Sequence, residues 1–179
     1  MKPTITWRCA PFDQLTPREI HDMLQARSAA FVVEQTCVFL DIDGADPECW
    51  HLVGYMRLDS RLRGNDEGRG GEPVLVATAR LVPPGTKFAE PSIGRVVTTS
   101  AVRGTGVGRL LMKEAIAQAE KLWPRQALRI GAQKHLERFY ASLGFVTASE
   151  PYDEDGILHV EMVRPASRVA DRSGQAVGQ

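Results

Sequence analysis

The stretch VRGTGVGRLLM, residues 102–112, decides how the rest of the sequence can fold. Apolar residues at helical spacing continue from position 107 to position 122, which predicts a long amphipathic helix that begins inside this stretch. The unpaired amides and the dipole at the start of such a helix favour an anion, and a pyrophosphate would fit. The turn before the helix carries glycines at alternating positions: Gly104, Gly106 and Gly108. They would let a phosphate approach the backbone, although they could also serve only to reverse the chain.

The spacing of these glycines excludes two common phosphate-binding motifs. The P-loop pattern, GxxxxGK followed by Ser or Thr, is absent from the sequence. The glycines follow the pattern GxGxG, whereas a dinucleotide fingerprint requires GxGxxG after the first strand of its fold. Arg103 and Arg109 flank the turn and would add positive charge for a ligand. The sequence therefore predicts an anion site of a different kind.

The segments on both sides of this helix predict an α/β protein with elements in the order β-α-β-β-β-α-β-α-β-β. Thr16, Pro17 and Glu19 have the pattern of a capping box and predict where the first helix begins. Gly144 is predicted to end the third helix in a left-handed conformation. We expect the second and third strands to pair as a hairpin. The predicted strands cover residues 4–9, 50–58, 73–82, 92–100, 127–133, 145–152 and 156–163.

Length and composition predict a single domain of residues 1–165. The 179 residues include 22 basic and 22 acidic side chains, so no net charge attracts nucleic acid or an anionic membrane. We expect residues 59–72, rich in glycine and charge, to form a flexible hairpin insertion, and residues 166–179 to form a disordered tail. The three cysteines have no disulfide or zinc spacing, so we predict a cytoplasmic protein without a metal. A homodimer remains possible.

Several segments, taken together, resemble a known family. In RVVTTSAVRGTGVGRLLM, residues 95–112, Arg103, Gly106 and Gly108 match the acyl-coenzyme A signature of the GNAT N-acetyltransferase superfamily. AQKHLERFYASLGF is similar to a later segment of that superfamily, in which a helix bearing Phe-Tyr ends in Gly-Phe. FVVEQTCVFLDIDG and DGILHVEM resemble the ElaA-like branch in particular. The resemblance extends over about residues 15–163.

The resemblance implies a fold, a reaction and a cosubstrate. The fold is α/β (α+β), a mixed and splayed central sheet of about seven strands flanked by helices, with coenzyme A wedged where the strands at 92–100 and 127–133 part. In the reaction a primary amine of a small molecule or peptide attacks the thioester of acetyl-CoA directly. Thr36, Val38 and Leu158 depart from the Asn, Pro and Pro expected in loops near the acceptor. A non-catalytic acyl-CoA sensor or interaction module is the alternative.

The resemblance also implies which residues contact acetyl-CoA. Backbone amide in the Val96–Val97 region, aided by a strand bulge, would stabilise the oxyanion of the tetrahedral intermediate. The two valine side chains can pack in the core while their backbone does this. The implied coenzyme-binding residues are Val96, Val97, Arg103, Gly104, Thr105, Gly106, Val107, Gly108, Arg109, Gln133, Phe139 and Tyr140.

Tyr140 is the candidate general acid because it occupies the family position for that role. A phenol with a pKa of ~10 is suited to protonate a departing thiolate. The residue also belongs to an apolar helical stripe with Leu136, Phe139 and Leu143, which predicts a core position. Both interpretations of Tyr140 are open at this point.

Three residues are candidates for the general base that deprotonates the amine: Glu34, His159 and Glu161. Acidic residues gather at 41–48 and 153–161, and the resemblance places both segments around the acceptor entrance. Carboxylates there would attract a cationic amine and accept its proton, unless they are merely solvated loop residues. Glu34 follows the apolar run FVV, so it has either this role or a structural one, such as a cap or a pair with an arginine.

Overall fold

Eight strands form one mostly antiparallel sheet in the computed structural model, which describes residues 4–36, 39–57 and 72–167. The strands are β1 (Ile5–Pro11), β2 (Trp50–Met56), β3 (Val74–Val82), β4 (Ser92–Thr98), β5 (Leu128–Gln133), β6 (Val146–Thr147), β7 (Tyr152–Glu154) and β8 (Ile157–Arg164). Their order in the sheet is β1-β2-β3-β4-β5-β8-β6, and β7 also pairs with β8. The predicted insertion and tail lie outside the described residues, apart from their first or last few positions.

The helices are α1 (Pro17–Arg27), α2 (Val107–Leu122) and α3 (Glu137–Ala141). The capping box of α1 is confirmed: the Thr16 hydroxyl accepts from the amide of Glu19 at 3.2 Å, and the Glu19 carboxylate accepts from the amide of Thr16 at 2.8 Å. A π-helical stretch, Ser28–Glu34, continues α1 and is called the π segment below. In the described part of the chain no helix is long and apolar enough to cross a bilayer.

The two faces of the sheet are covered differently. On one face, α2 packs through Leu111, Met112 and Ala115 into a large apolar cluster that includes the buried residues of β5 and β8. On the other face, α1 packs its Met23 against β2 and β3. The alternate residues of β5 on that second face are at least partly exposed. The face of β5 and β8 that α2 does not cover is therefore accessible beside the π segment.

The sheet splays between β4 and β5. These two neighbouring strands are parallel. In the described part of the chain they share a single pair of partner residues, Ser92 and Arg129. The amide of Arg129 donates to the carbonyl oxygen of Pro91 at 3.0 Å, which closes the sheet at that end. Beyond this point the two strands part and leave a gap, as expected for the splayed sheet.

Most predicted elements are present, but one predicted strand is divided into two. The hairpin of β2 and β3 is confirmed by their antiparallel register, and Gly144 has the predicted left-handed backbone, with φ 90°. The segment 145–152, predicted as one strand, is two short strands, β6 and β7, on either side of a bend. Pro151 lies at this break and has no amide hydrogen for a continuous ladder.

Candidate active site

The glycine turn, residues 103–106, leads directly into α2. Gly104 and Gly106 have φ values of 77° and 89°, in the left-handed region that side chains disfavour. A Cβ atom built on either residue would meet no protein atom within 4 Å. The space in front of the turn is therefore open to a ligand, and glycine keeps it open.

The start of α2 presents amide groups that the chain does not use. The amides of Arg109 and Leu110 both donate to the carbonyl oxygen of Gly106, at 3.1 and 3.3 Å. In the described residues, the amides of Gly106, Val107 and Gly108 make no backbone hydrogen bond. Free donors at the positive end of a sixteen-residue helix are suited to bind an anion.

The β4 strand, which borders the gap, has a bulge in its pairing with β3. Thr78 pairs with Val97 and Arg80 with Gly94, so β4 has one more residue than β3 between these two pairs. The extra residue falls at Arg95, whose φ is 48°. A bulge interrupts the ladder of hydrogen bonds, which leaves backbone groups free at this point. It lies where the sequence predicted a bulge, next to Val96 and Val97.

Comparison with known proteins agrees with this arrangement of gap, bulge and glycine turn. The family model described as the acetyltransferase (GNAT) domain matches residues 75–165. The chain belongs to the GNAT acetyltransferase family, in its ElaA-like branch. This GNAT protein is therefore an acyltransferase.

Three relatives show how far the similarity extends. The chain is 42% identical over 159 residues to a UPF0039 protein of Synechocystis, covering 89% of this chain and 94% of the relative. It is 37% identical over 162 residues to Escherichia coli ElaA, covering 89% and 96%. A Pseudomonas aeruginosa structure described as an acyl-CoA N-acyltransferase has a TM-score of 0.77 at 36% identity, covering 90% of this chain and 99% of that one. The similarity thus extends over about nine tenths of the chain.

Two arginines flank the glycine turn of this GNAT protein, as the sequence predicted. Arg103 donates from Nε to the carbonyl oxygen of Thr98 at 3.2 Å and pairs with Glu34 at 2.6 Å. Arg109 donates to the Ser142 hydroxyl at 3.0 Å and lies 5.6 Å from the ring centre of Phe139. Both guanidinium groups are exposed and held close to the turn, where an incoming phosphate could reach them.

The environment of Tyr140 is compatible with both of its predicted roles, a core residue and a general acid. Its ring is buried and makes edge contacts with Phe139 and Phe145, at centroid distances of 5.1 and 6.1 Å. Burial raises the pKa of the phenol to about 12, so the hydroxyl stays protonated at physiological pH. The side chain is thus a core residue whose hydroxyl retains a proton to donate.

The two candidate glutamates are both ion-paired. Glu34, at the end of the π segment, pairs with Arg103. Glu161, on β8 opposite Gly131, pairs with Arg129 at 2.8 Å, and its backbone amide donates to the hydroxyl oxygen of Ser149 at 2.9 Å. In each case the guanidinium group occupies a carboxylate oxygen for which an acceptor amine would have to compete. Glu161 also lies toward the closed end of the sheet, where Arg129 pairs with Ser92.

His159 has the orientation of a base. Its Nδ1 lies 2.8 Å from the carbonyl oxygen of Ile157, which can only accept, so Nδ1 carries the hydrogen of the neutral ring. The lone pair then belongs to Nε2, which lies 3.8 Å from a carboxylate oxygen of Glu154. The ring stacks on Tyr152 at 6.1 Å. Nε2 is therefore the ring nitrogen that can accept a hydrogen bond or a proton.

A glutamine pair joins the π segment to the sheet beside His159. Gln133, the last residue of β5, lies opposite His159 on β8. Its side-chain amide donates to Gln35, which follows the π segment, at 3.2 Å. With Glu34 and Arg103, these residues connect β8 to the glycine turn across the gap. Gln35 carried no sequence signal beyond its position after FVVE.

The acidic loop, residues 39–46, has a different structure from the one the sequence suggested. Asp41 and Asp46 are buried, at 8% and 3% exposure, and bind Arg27 of α1 at 2.9 and 2.8 Å. Arg80 of β3 binds Asp43 at 2.7 Å and Asp46 at 3.1 Å. Asp41 and Asp46 are therefore neither solvated nor free to attract an amine, and the more exposed Asp43 is engaged by Arg80. In the described part of the chain, no group of His, Cys, Asp or Glu side chains is arranged to hold a metal ion.

Proposed function

We propose that this GNAT protein transfers an acetyl group from acetyl-CoA to a primary amine of a small molecule or peptide. The observation that carries the proposal is the gap between β4 and β5, which opens next to unpaired amides at the start of α2. A relative with 36% identity is described as an acyl-CoA N-acyltransferase, which supports an acyl-CoA donor. The neutral amine attacks the thioester directly, without a covalent enzyme intermediate.

Binding of acetyl-CoA is assigned to the two sides of the gap. The pyrophosphate is proposed to accept from the free amides of Gly106, Val107 and Gly108, with Arg103 and Arg109 adding charge. Thr105 would contribute backbone rather than side chain, because its hydroxyl donates to the carbonyl oxygen of Val102 at 2.6 Å. The remaining proposed contacts are Val96, Val97, Gly104, Gln133, Phe139 and Tyr140.

His159 is proposed as the base and Tyr140 as the acid. Nε2 of His159 takes a proton from the ammonium form of the acceptor, directly or through water, and the amine nitrogen then attacks the thioester carbonyl carbon. The oxyanion accepts from a backbone amide at the bulge near Val96. When the carbon–sulfur bond breaks, Tyr140 protonates the thiolate, and the proton that remains on the new amide nitrogen passes to the tyrosinate, directly or through water. The ion pairs of Glu34 and Glu161 favour structural roles for them over the base role.

A non-catalytic acyl-CoA sensor is the second candidate function. It has support in the same anion site, which would serve binding without turnover. Release of free coenzyme A thiol from acetyl-CoA, measured with a panel of small-molecule and peptide amines, distinguishes the two. Transferase activity predicts thiol release that requires an amine and forms one acetylated product per thiol. Tight acetyl-CoA binding without release with any amine would favour the sensor.

A further inference from the structure

Arg95 connects the bulge in β4 to the acidic loop. Its Nε donates to Asp41 Oδ1 at 2.7 Å, and its Nη2 donates to Asp43 Oδ2 at 3.0 Å. The guanidinium also lies 5.2 Å from the ring centre of Phe39. Three contacts therefore fix the side chain of the residue that forms the bulge, and all three come from one loop.

The carboxylates of Asp41 and Asp43, which bind Arg95, are also bound by two other arginines. Arg27, which is 1% exposed, binds the other oxygen of Asp41 and also donates to its backbone carbonyl at 2.7 Å. Arg80 binds both oxygens of Asp43, at 2.7 and 2.8 Å. The loop thus gives Arg95 a rigid attachment to α1 and β3. A salt bridge between two exposed, flexible side chains would not hold Arg95 rigidly.

The backbone of Arg95 needs such an attachment. Its φ of 48° is in the left-handed region, which is unfavourable for a residue with a Cβ atom. A conformation of this kind persists where the surrounding contacts determine it more strongly than the local preference. If the Arg95 side chain lost these contacts, the residue would favour an extended backbone. The amides of Val96 and Val97 would then point in a different direction.

We propose that Arg95 is a positioning residue for acetyl transfer: its clasp by Asp41 and Asp43 holds the bulge so that the backbone at Val96 and Val97 stays aimed into the gap. This inference rests on the proposed function, in which that backbone stabilises the oxyanion. The acidic loop also borders the π segment, on the acceptor side of the site. Its contacts with Arg95 therefore connect the acceptor side of the site to the thioester side.

Kinetics of Arg95→Ala test the proposal. We expect kcat to fall ~10-fold or more, since a misplaced oxyanion donor is nearly as harmful as an absent one. The Kd for acetyl-CoA should stay within about threefold of the wild-type value, because the anion site at α2 is untouched. Arg95→Lys, which can still reach one carboxylate, should recover part of kcat. Arg18→Ala, which removes an exposed pair with Asp22 on α1, is the control and should change neither value.

Hydrogen exchange in the free protein provides a readout that needs no turnover. We expect the peptide covering β4 to exchange faster in Arg95→Ala than in the wild type and in Arg18→Ala, with the peptides of α2 unchanged. Unchanged exchange in β4, or a kcat within about twofold of wild type, would overturn the role of Arg95. If the wild type turns over no amine, the proposed function fails instead, and the exchange data still decide whether Arg95 holds the bulge.

Discussion

Ser92 on β4 lies beside Arg129 on β5, and from this pair the two strands diverge. Gln133 lies four residues beyond Arg129, and because the bulge adds one residue to β4, the corresponding level of β4 is reached at Val97, which pairs with Thr78 of β3. His159 lies next to Gln133 on β8. The proposed oxyanion site and the proposed base are therefore at the same level of the sheet, on opposite sides of the place where the thioester is expected.

Substitution of Gly106 tests whether the turn binds phosphate. In Gly106→Val a branched side chain would project into the open space in front of α2, so we expect acetyl-CoA binding to be lost in calorimetry. Gly85→Val is a matched control, because Gly85 also has a left-handed φ, 83°, and open surroundings, in a different turn. Both variants should lose ~1–2 kcal/mol of stability from the backbone. Equal acetyl-CoA affinity in the two would mean that the glycines only turn the chain.

Replacement of His159 tests its role as the base. His159→Gln should reduce kcat/KM for a strongly basic amine by ~10²–10⁴-fold. The loss should be smaller for weakly basic amines, which are already neutral and need no base. His21→Gln, on an exposed part of α1, is the control. A kcat/KM for the basic amine that equals the wild-type value would return the role to Glu34 or Glu161.

Local sequence signals predicted the elements of the fold and the position of the glycine turn well. Thr16 and Glu19 are three residues apart, and the glycine turn precedes the helix that it begins, so short segments contain the whole signal. The resemblance to GNAT proteins then supplied the splayed sheet. The sequence also placed Tyr140 in an apolar stripe, and its ring is indeed buried.

The arginine–aspartate contacts could not be predicted in this way. Arg95 binds Asp41 across 54 residues, and nothing near either residue indicates its partner. One weak signal was present: Arg27 interrupts an apolar helical stripe, and a buried arginine requires a carboxylate. From the sequence alone, the aspartates are either charges at the acceptor entrance or solvated loop residues. In the structure, Asp41 and Asp46 instead anchor the loop to α1 and β3.

The hydroxyl of Tyr140 can be tested without disturbing the core. Tyr140→Phe keeps the ring that packs on Phe145, so stability should be nearly unchanged. If the phenol protonates the thiolate, kcat should fall by ~10²–10⁴-fold while the Kd for acetyl-CoA is retained. Tyr55→Phe is the control, since it removes a hydroxyl bonded to Asp22 on α1 at 3.2 Å. Wild-type turnover in Tyr140→Phe would leave Tyr140 with a packing role alone.

The buried groups around the acidic loop predict that the protein loses stability in acid, in two stages. Burial lowers the pKa of His51, which is fully enclosed and lies 3.0 Å from the carbonyl oxygen of Asp46. As the pH falls through ~6.5, His51 takes up a proton in the unfolded chain but stays neutral in the folded protein. The free energy of unfolding therefore decreases. Above this pH the stability is fully present.

The second stage comes from the aspartates. Hydrogen bonds from Arg80 lower the pKa of Asp43, and for Asp46 the guanidinium groups of Arg27 and Arg80 outweigh the opposing effect of burial. These carboxylates stay ionised in the folded state below ~pH 3.9, where the unfolded chain is protonated, so further stability is lost there.

Urea unfolding between pH 8 and pH 3 measures both stages. In the first, each unit of pH should remove at most ~1.4 kcal/mol, the limit for one proton. His51→Gln should flatten the slope between pH 7 and pH 5, whereas His21→Gln should keep it. Asp43→Asn should weaken the second stage without altering the first. A wild-type stability that is constant from pH 8 to pH 5 would contradict the account of His51, because a buried imidazole that stays neutral must favour unfolding as protons become available.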